Sequence, residues 1–195
     1  MTQVYSVTIT GTTPLLMHAD NIEWADQMDR WKADPANKNK GKAGDDRTPA
    51  HRWLGCLYND GEHISIPSDN LMRCIMEGGA MVPAPGRGKK TFKAQTQSGC
   101  ITGEPFWKLL VNGKPVAVKP LLALSKEASF DKHQEAATAN GFTLYLKRAK
   151  IVLSQHVRVR PRFDTWSAAG TIKAWDELEK KIQSQEPPAI TAANV

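Results

Sequence analysis

Cysteine is scarce in this chain. Cys56, Cys74 and Cys100 are odd in number and far apart, which argues against a disulfide framework and against a tetrahedral zinc site. Cys74, set between apolar residues in a helix-like stretch, reads as a small core residue. His18, His51, His63, His133 and His156 show no metal-ligand spacing. No apolar run approaches the roughly 20 residues that a membrane-spanning helix needs, so no membrane partner is expected. The opening MTQVYSVTIT has no basic segment followed by an apolar block, and no signal peptide is expected. GxSxG, HExxH and the GxxxxGK[ST] phosphate-binding loop are all missing. The expectation is a protein that is not an enzyme and uses no cofactor or metal.

The most telling absence is of acid. Residues 78–103 and 136–163 contain no Asp or Glu, yet hold ten of the 26 Lys and Arg residues, while the chain as a whole is +6. Arg87, Lys89, Lys90 and Lys93 lie in the first stretch, and Lys147, Arg148, Lys150, Arg158, Arg160 and Arg162 in the second. Concentrated positive charge is the footprint of a polyanion ligand.

What is present suits an α+β fold. With 195 residues, 41% of them hydrophobic, the chain is read as one domain over 1–182, with a helical insertion about 20–58, a basic loop about 82–104 and a disordered tail over 183–195. Val4 to Thr10 alternates apolar and hydroxyl residues, the pattern of a half-buried strand. Asn21 to Trp31 is expected to be a helix, with Ile22, Met28 and Trp31 to one side. Lys38 to Asp46 reads as a solvated loop. Thr48-Pro49 opens a short helix through Trp53 and Leu57, and Ile64 to Ile66 is a short strand. A helix then starts at Ser68 as N-cap, buries Leu71, Cys74 and Ile75, and ends at Gly78-Gly79. Val82 to Glu104 is expected to be a long loop or extended hairpin. Further expectations are strands at Val116–Val118 and Phe142–Leu146, helical composition over Lys126 to Ala139, a strand from Ile151 to Arg160, and a helix from Trp175 to Ile182.

Alternation on the late strand places Arg158 and Arg160 on one face, about 7 Å apart, close to the spacing of successive phosphates. His156 shares that face, and Arg162 follows Pro161. In Gly86 to Lys93 the glycines admit a ligand to the backbone, the cations reach phosphates, and Phe92 is placed to stack on a base. Trp166, close behind Arg162 and Phe163, is the tryptophan best placed for a ligand, while the others are assigned mainly to the core. Each basic group also has a plain reading as solvated surface or an ion-pair partner. His18 and His156 are the histidines to consider for acid–base chemistry, and a structural role is the simpler assignment for both.

VTITGTTPLLMH (7–18), HISIPSDNLMRCIMEGGA (63–80) and VRVRPRFDTW (157–166) resemble a group of small bacteriophage proteins, themselves similar to the RNA-recognition-motif-like backbone subunits of CRISPR effector complexes, the RAMP superfamily. The shared features are a first strand ending near Pro14-Leu15 and the helix entry Ile66-Pro67-Ser68. The resemblance covers about a third of the chain. It implies a ferredoxin-like antiparallel sheet with helices on one face and long insertions, and polymerisation along single-stranded RNA. A cytoplasmic setting, in a bacterial host cell, is expected from the missing membrane span and signal peptide. Residues 176–195 contain no glycine, whereas much of that superfamily carries a glycine-rich loop near its C-terminus. The expectation is a non-catalytic protein for single-stranded RNA or DNA, with self-association and a CRISPR-type or phage protein complex as companions. The alternative is a phage assembly factor or an inhibitor of a host effector complex that works through protein contacts.

Overall fold

The computed structural model describes residues 2–41, 44–151 and 154–175. It is α+β, with mixed helices and antiparallel sheets, and its residues group into two compact units. Among the described residues no helix is long and apolar enough to cross a membrane.

The first unit holds Met1–Thr12, Ser65–Leu109 and the chain from Ser167 on. β1 (Thr2–Thr10) forms as the alternation predicts, with Tyr5, Val7 and Ile9 half-buried and the residues between them exposed. It pairs antiparallel along its whole length with β9 (Trp166–Trp175). β9 in turn neighbours β5 (Phe106–Val111), which pairs with β3 (Ser65–Pro67), and β4 (Cys100–Thr102) also joins β9. β9 carries little strand signal because three of its four inward positions from Ala168 to Ala174 are small, Ala168, Gly170 and Ala174, with Ile172 between them. At Gly170 the reason is Trp107. A Cβ built at Gly170 would lie 2.6 Å from its Cδ2, so the buried indole excludes any larger residue there. Trp175, expected to open a helix, is the last residue of this strand, and the rest of that expected helix and the tail fall outside the described residues.

α2 (Ser68–Met81) covers the inward sheet face with Leu71, Met72 and Ile75. Pro67 rather than Ser68 occupies the cap position, and no side chain caps the helix. The helix also runs through Gly78-Gly79, because α3 (Lys93–Gly99) packs so close that a Cβ on Gly79 would meet Thr96. Cys74 is exposed, not core; the buried stripe turns one residue aside, through Met72. In the stretch expected to be a long loop or extended hairpin, Pro83 bridges Thr91 in antiparallel fashion, Ala84 N–H donates to Lys90 O at 2.8 Å, and α3 and β4 follow.

The second unit holds Thr13–Ile64 and Leu110–Trp166. Its three-stranded sheet has the order β2 (Leu15–Leu16), β8 (Ser154–Phe163), β7 (Thr143–Ile151). The strand expected over Ile151–Arg160 is thus divided: Ile151 ends β7 and pairs with Ser154 of β8. β8 runs on through Pro161, whose carbonyl accepts from Met17 N–H at 3.1 Å. Val159, Pro161 and Phe163 are buried, and the Phe163 ring packs on Phe142, which in turn meets Trp53. The Trp53 indole N–H donates to His133 Nδ1 at 3.1 Å, and the other ring nitrogen of His133 lies 3.1 Å from the Glu127 carbonyl. This arrangement gives both ring nitrogens of the buried His133 a partner in the core.

α1 (Ile22–Ala33) is capped by Asn21, whose side chain accepts from Trp24 N–H. Trp24, Met28 and Trp31 form its half-buried stripe, and Ile22 points to solvent, because the i, i+4, i+7 face begins at Trp24. A 3₁₀ helix spans Ala50–Cys56. β6 (Lys114–Pro115) pairs with Leu110 and Val111, and Val118, expected on a strand, starts α4 (Val118–Leu122) because its neighbour Ala117 already bridges His63. α5 (Phe130–Ala139) lies in the stretch of helical composition.

Candidate nucleic-acid interface

The antiparallel register of β7 and β8 decides which cations share a face. Lys147 stands opposite Arg158, Tyr145 opposite Arg160, Thr143 opposite Arg162 and Ala149 opposite His156. Directly opposed residues project to the same side, so Lys147, Arg158, Arg160 and Arg162 form one cationic face. Arg148 and Lys150 alternate to the other side, opposite Val157 and Gln155, and are exposed there. Sequence alone could not separate these two groups, because it does not give the register between β7 and β8.

The arginines are not bare. Asp46, expected in a solvated loop, has a side chain only 3% exposed, and Arg52, Arg158 and Arg160 converge on it at 3.2, 3.2 and 3.3 Å. The backbone holds it in place: Asp46 N–H donates to Val157 O at 2.9 Å and Val157 N–H to Gly44 O at 2.7 Å, a short parallel bridge on β8. Burial of the carboxylate is tolerated because three charged donors surround it. Arg162 pairs separately with Asp164 at 2.7 Å. Four cations (Arg52, Arg158, Arg160 and Arg162) therefore share two carboxylates, and Lys147 adds its charge to the same face. The side chains of Arg158, Arg160 and Arg162 are 34%, 21% and 34% exposed, so they keep surface toward a ligand.

Tyr145 is the aromatic that the sequence reading passed over. Arg162 lies over its ring, 5.4 Å from the centroid, which adds a cation–π contact to the same face. His18 stands near Arg160, Arg158 and Asp46; partial desolvation first, and then the Arg160 guanidinium, lower its pKa below the usual 6.5. His156 packs its ring against Gly44, with Nδ1 enclosed and unbonded among the described residues. Trp166 donates its indole N–H to Thr13 O at 3.0 Å. That bond fixes its polar end to the protein.

Arg87, Lys89, Lys90 and Lys93 belong to the first unit. All four are exposed, and among the described residues no carboxylate forms an ion pair with them. Phe92 is partly buried against Cys100 and Ala174 beside Tyr5 and Met72, so most of its ring serves the core. Among the described residues no cluster of His, Cys, Asp or Glu is arranged to hold a metal. No protein-family model matches this chain, and no curated protein or solved structure is similar to it at a significant level.

Proposed function

We propose that this protein binds single-stranded nucleic acid without catalysing its cleavage, chiefly through phosphate contacts on the face of Lys147, Arg158, Arg160 and Arg162. One observation carries the reading. β8 presents three arginines at every second position, and the carboxylates that reach the group, Asp46 and Asp164, are fewer than the cations they meet. A guanidinium held at one edge by a buried carboxylate keeps its remaining N–H donors in a fixed plane, which suits bidentate contact with phosphate. The exposed Arg87, Lys89 and Lys90 add a further cationic element in the other unit. In the finer reading of the fold, the first unit is ferredoxin-like, supported by its antiparallel strand pairs and by α2 on one sheet face. A phage protein that coats a strand in a bacterial cytoplasm is the setting this reading implies.

The test is a mobility-shift series with single- and double-stranded RNA and DNA of equal length. Contact with four phosphates predicts a loss of single-strand affinity of about 50-fold between about 50 and 200 mM salt, from a slope near 0.7 per phosphate. Affinity that does not change with salt would reject the proposal.

A further inference from the structure

Among the described residues, one sheet face of the first unit is covered by no helix. In β1 the residues at even positions point away from α2, and Val4 is 59% exposed. Val4 and Ile101 both pair with Lys173, so these three share that face, and Trp175 joins them two residues along β9. On β5, Trp107 packs against Gly170 on the inward side, which sends Phe106 and Lys108 outward to the same open face. Ile101 and Trp175 are each 50% exposed and Phe106 is 38% exposed. An antiparallel sheet with one face in water ordinarily keeps that face polar, and an apolar patch there marks a binding surface.

Its pattern points to one class of occupant. Phe106 and Lys108 on β5, and Trp175 and Lys173 on β9, are aromatic–lysine pairs two residues apart on the same side, about 7 Å between residues. An aromatic ring stacks a base, and an ammonium group at that distance can meet the adjoining phosphate. Glu104 also reaches this face, but its carboxylate accepts 2.8 Å bonds from both the N–H and the hydroxyl of Thr171 and is thereby engaged.

We infer that this open face is a second nucleic-acid surface, a stacking platform on which Phe106 and Trp175 hold unpaired bases while Lys108 and Lys173 hold the backbone. It takes its ligand class from the function proposed above, but rests on different residues in a different unit. The experiment is photo-crosslinking of the full chain to a short single-stranded oligonucleotide carrying bromouracil, with adducts mapped by mass spectrometry. In parallel, binding is measured for Phe106→Leu and Trp175→Leu, which keep apolar bulk and remove the ring. Adducts on Phe106 and Trp175, with affinity reduced about five-fold or more per variant, are expected. The adduct map is made on unaltered protein, so it decides the matter even if a variant misfolds. Adducts confined to other residues, with both variants binding normally, would overturn the platform while leaving the β8 arginines their role. Failure of the unaltered protein to bind any oligonucleotide would overturn both.

Discussion

Asp46→Asn sets the structural and the functional roles of the arginine cluster against each other. The carboxylate is almost wholly buried and accepts from Arg158 and Arg160, with Arg52 at the same 3.2 Å as Arg158. Removing one partner of a fully buried charge network costs about 3 to 5 kcal/mol. Here the guanidiniums are partly exposed and regain water, and Asn keeps one acceptor oxygen, so about 2 kcal/mol is the better figure. For a chain of this size that lowers Tm by about 4 to 8 °C. Binding should move the other way. A phosphate beyond the guanidiniums would sit about 7 Å from Asp46, where unit charges in water repel by about 0.6 kcal/mol, or about three-fold in affinity. Thermal melts by circular dichroism and anisotropy titrations with a single-stranded oligonucleotide at fixed salt measure the two effects. An unchanged Tm would refute the claim that the network stabilises the fold. A ten-fold loss of affinity in a folded variant would refute the claim that excess charge, rather than the geometry Asp46 imposes, drives binding.

The double variant Lys147→Gln, Arg162→Gln should reduce the slope of log affinity against log salt by about 1.4, measured by titration at several ionic strengths. Gly170→Ala forces a methyl group into the Trp107 indole and should destabilise the fold by about 1 to 3 kcal/mol in chemical denaturation. His51, whose pKa is lowered by burial and then by His133, binds protons less readily folded than unfolded. Its contribution to stability is full above about pH 6.5 and is lost as pH falls through the lowered native value. Melting temperature should therefore fall between neutral and mildly acidic pH, and His51→Gln should flatten that fall.

Elements that follow a single periodicity could be read from the sequence. β1 alternates, and α2 repeats at helical spacing. β9 could not be read, since three of its inward residues, Ala168, Gly170 and Ala174, are small, Gly170 because Trp107 lies against it, and small residues carry no period. Gly78-Gly79 misled because Gly79 serves helix–helix approach, against Thr96, rather than helix ending. The basic character of 147–162 was visible, but its division into two faces was not, because facing depends on the register of β7 against β8. Asp46 was hidden for another reason. Nothing local in Gly44-Asp45-Asp46 distinguishes a carboxylate that will be buried by long-range pairing from one that stays in water.

That pairing spans 112 residues to Arg158 and 114 to Arg160. Closing so large a loop is entropically costly and slow compared with local helix formation. During synthesis the arginine-rich strand reaches the ribosome exit only after its counter-charge has long since emerged. Until the two ends meet, Arg158 and Arg160 of the nascent polypeptide lack the counter-charge that Asp46 supplies in the folded protein, next to ribosomal RNA. Asp46 is then more than a brace in the finished molecule: it withdraws part of that charge once the chain has closed, so a properly folded copy should cling less to its own translation machinery than an immature one.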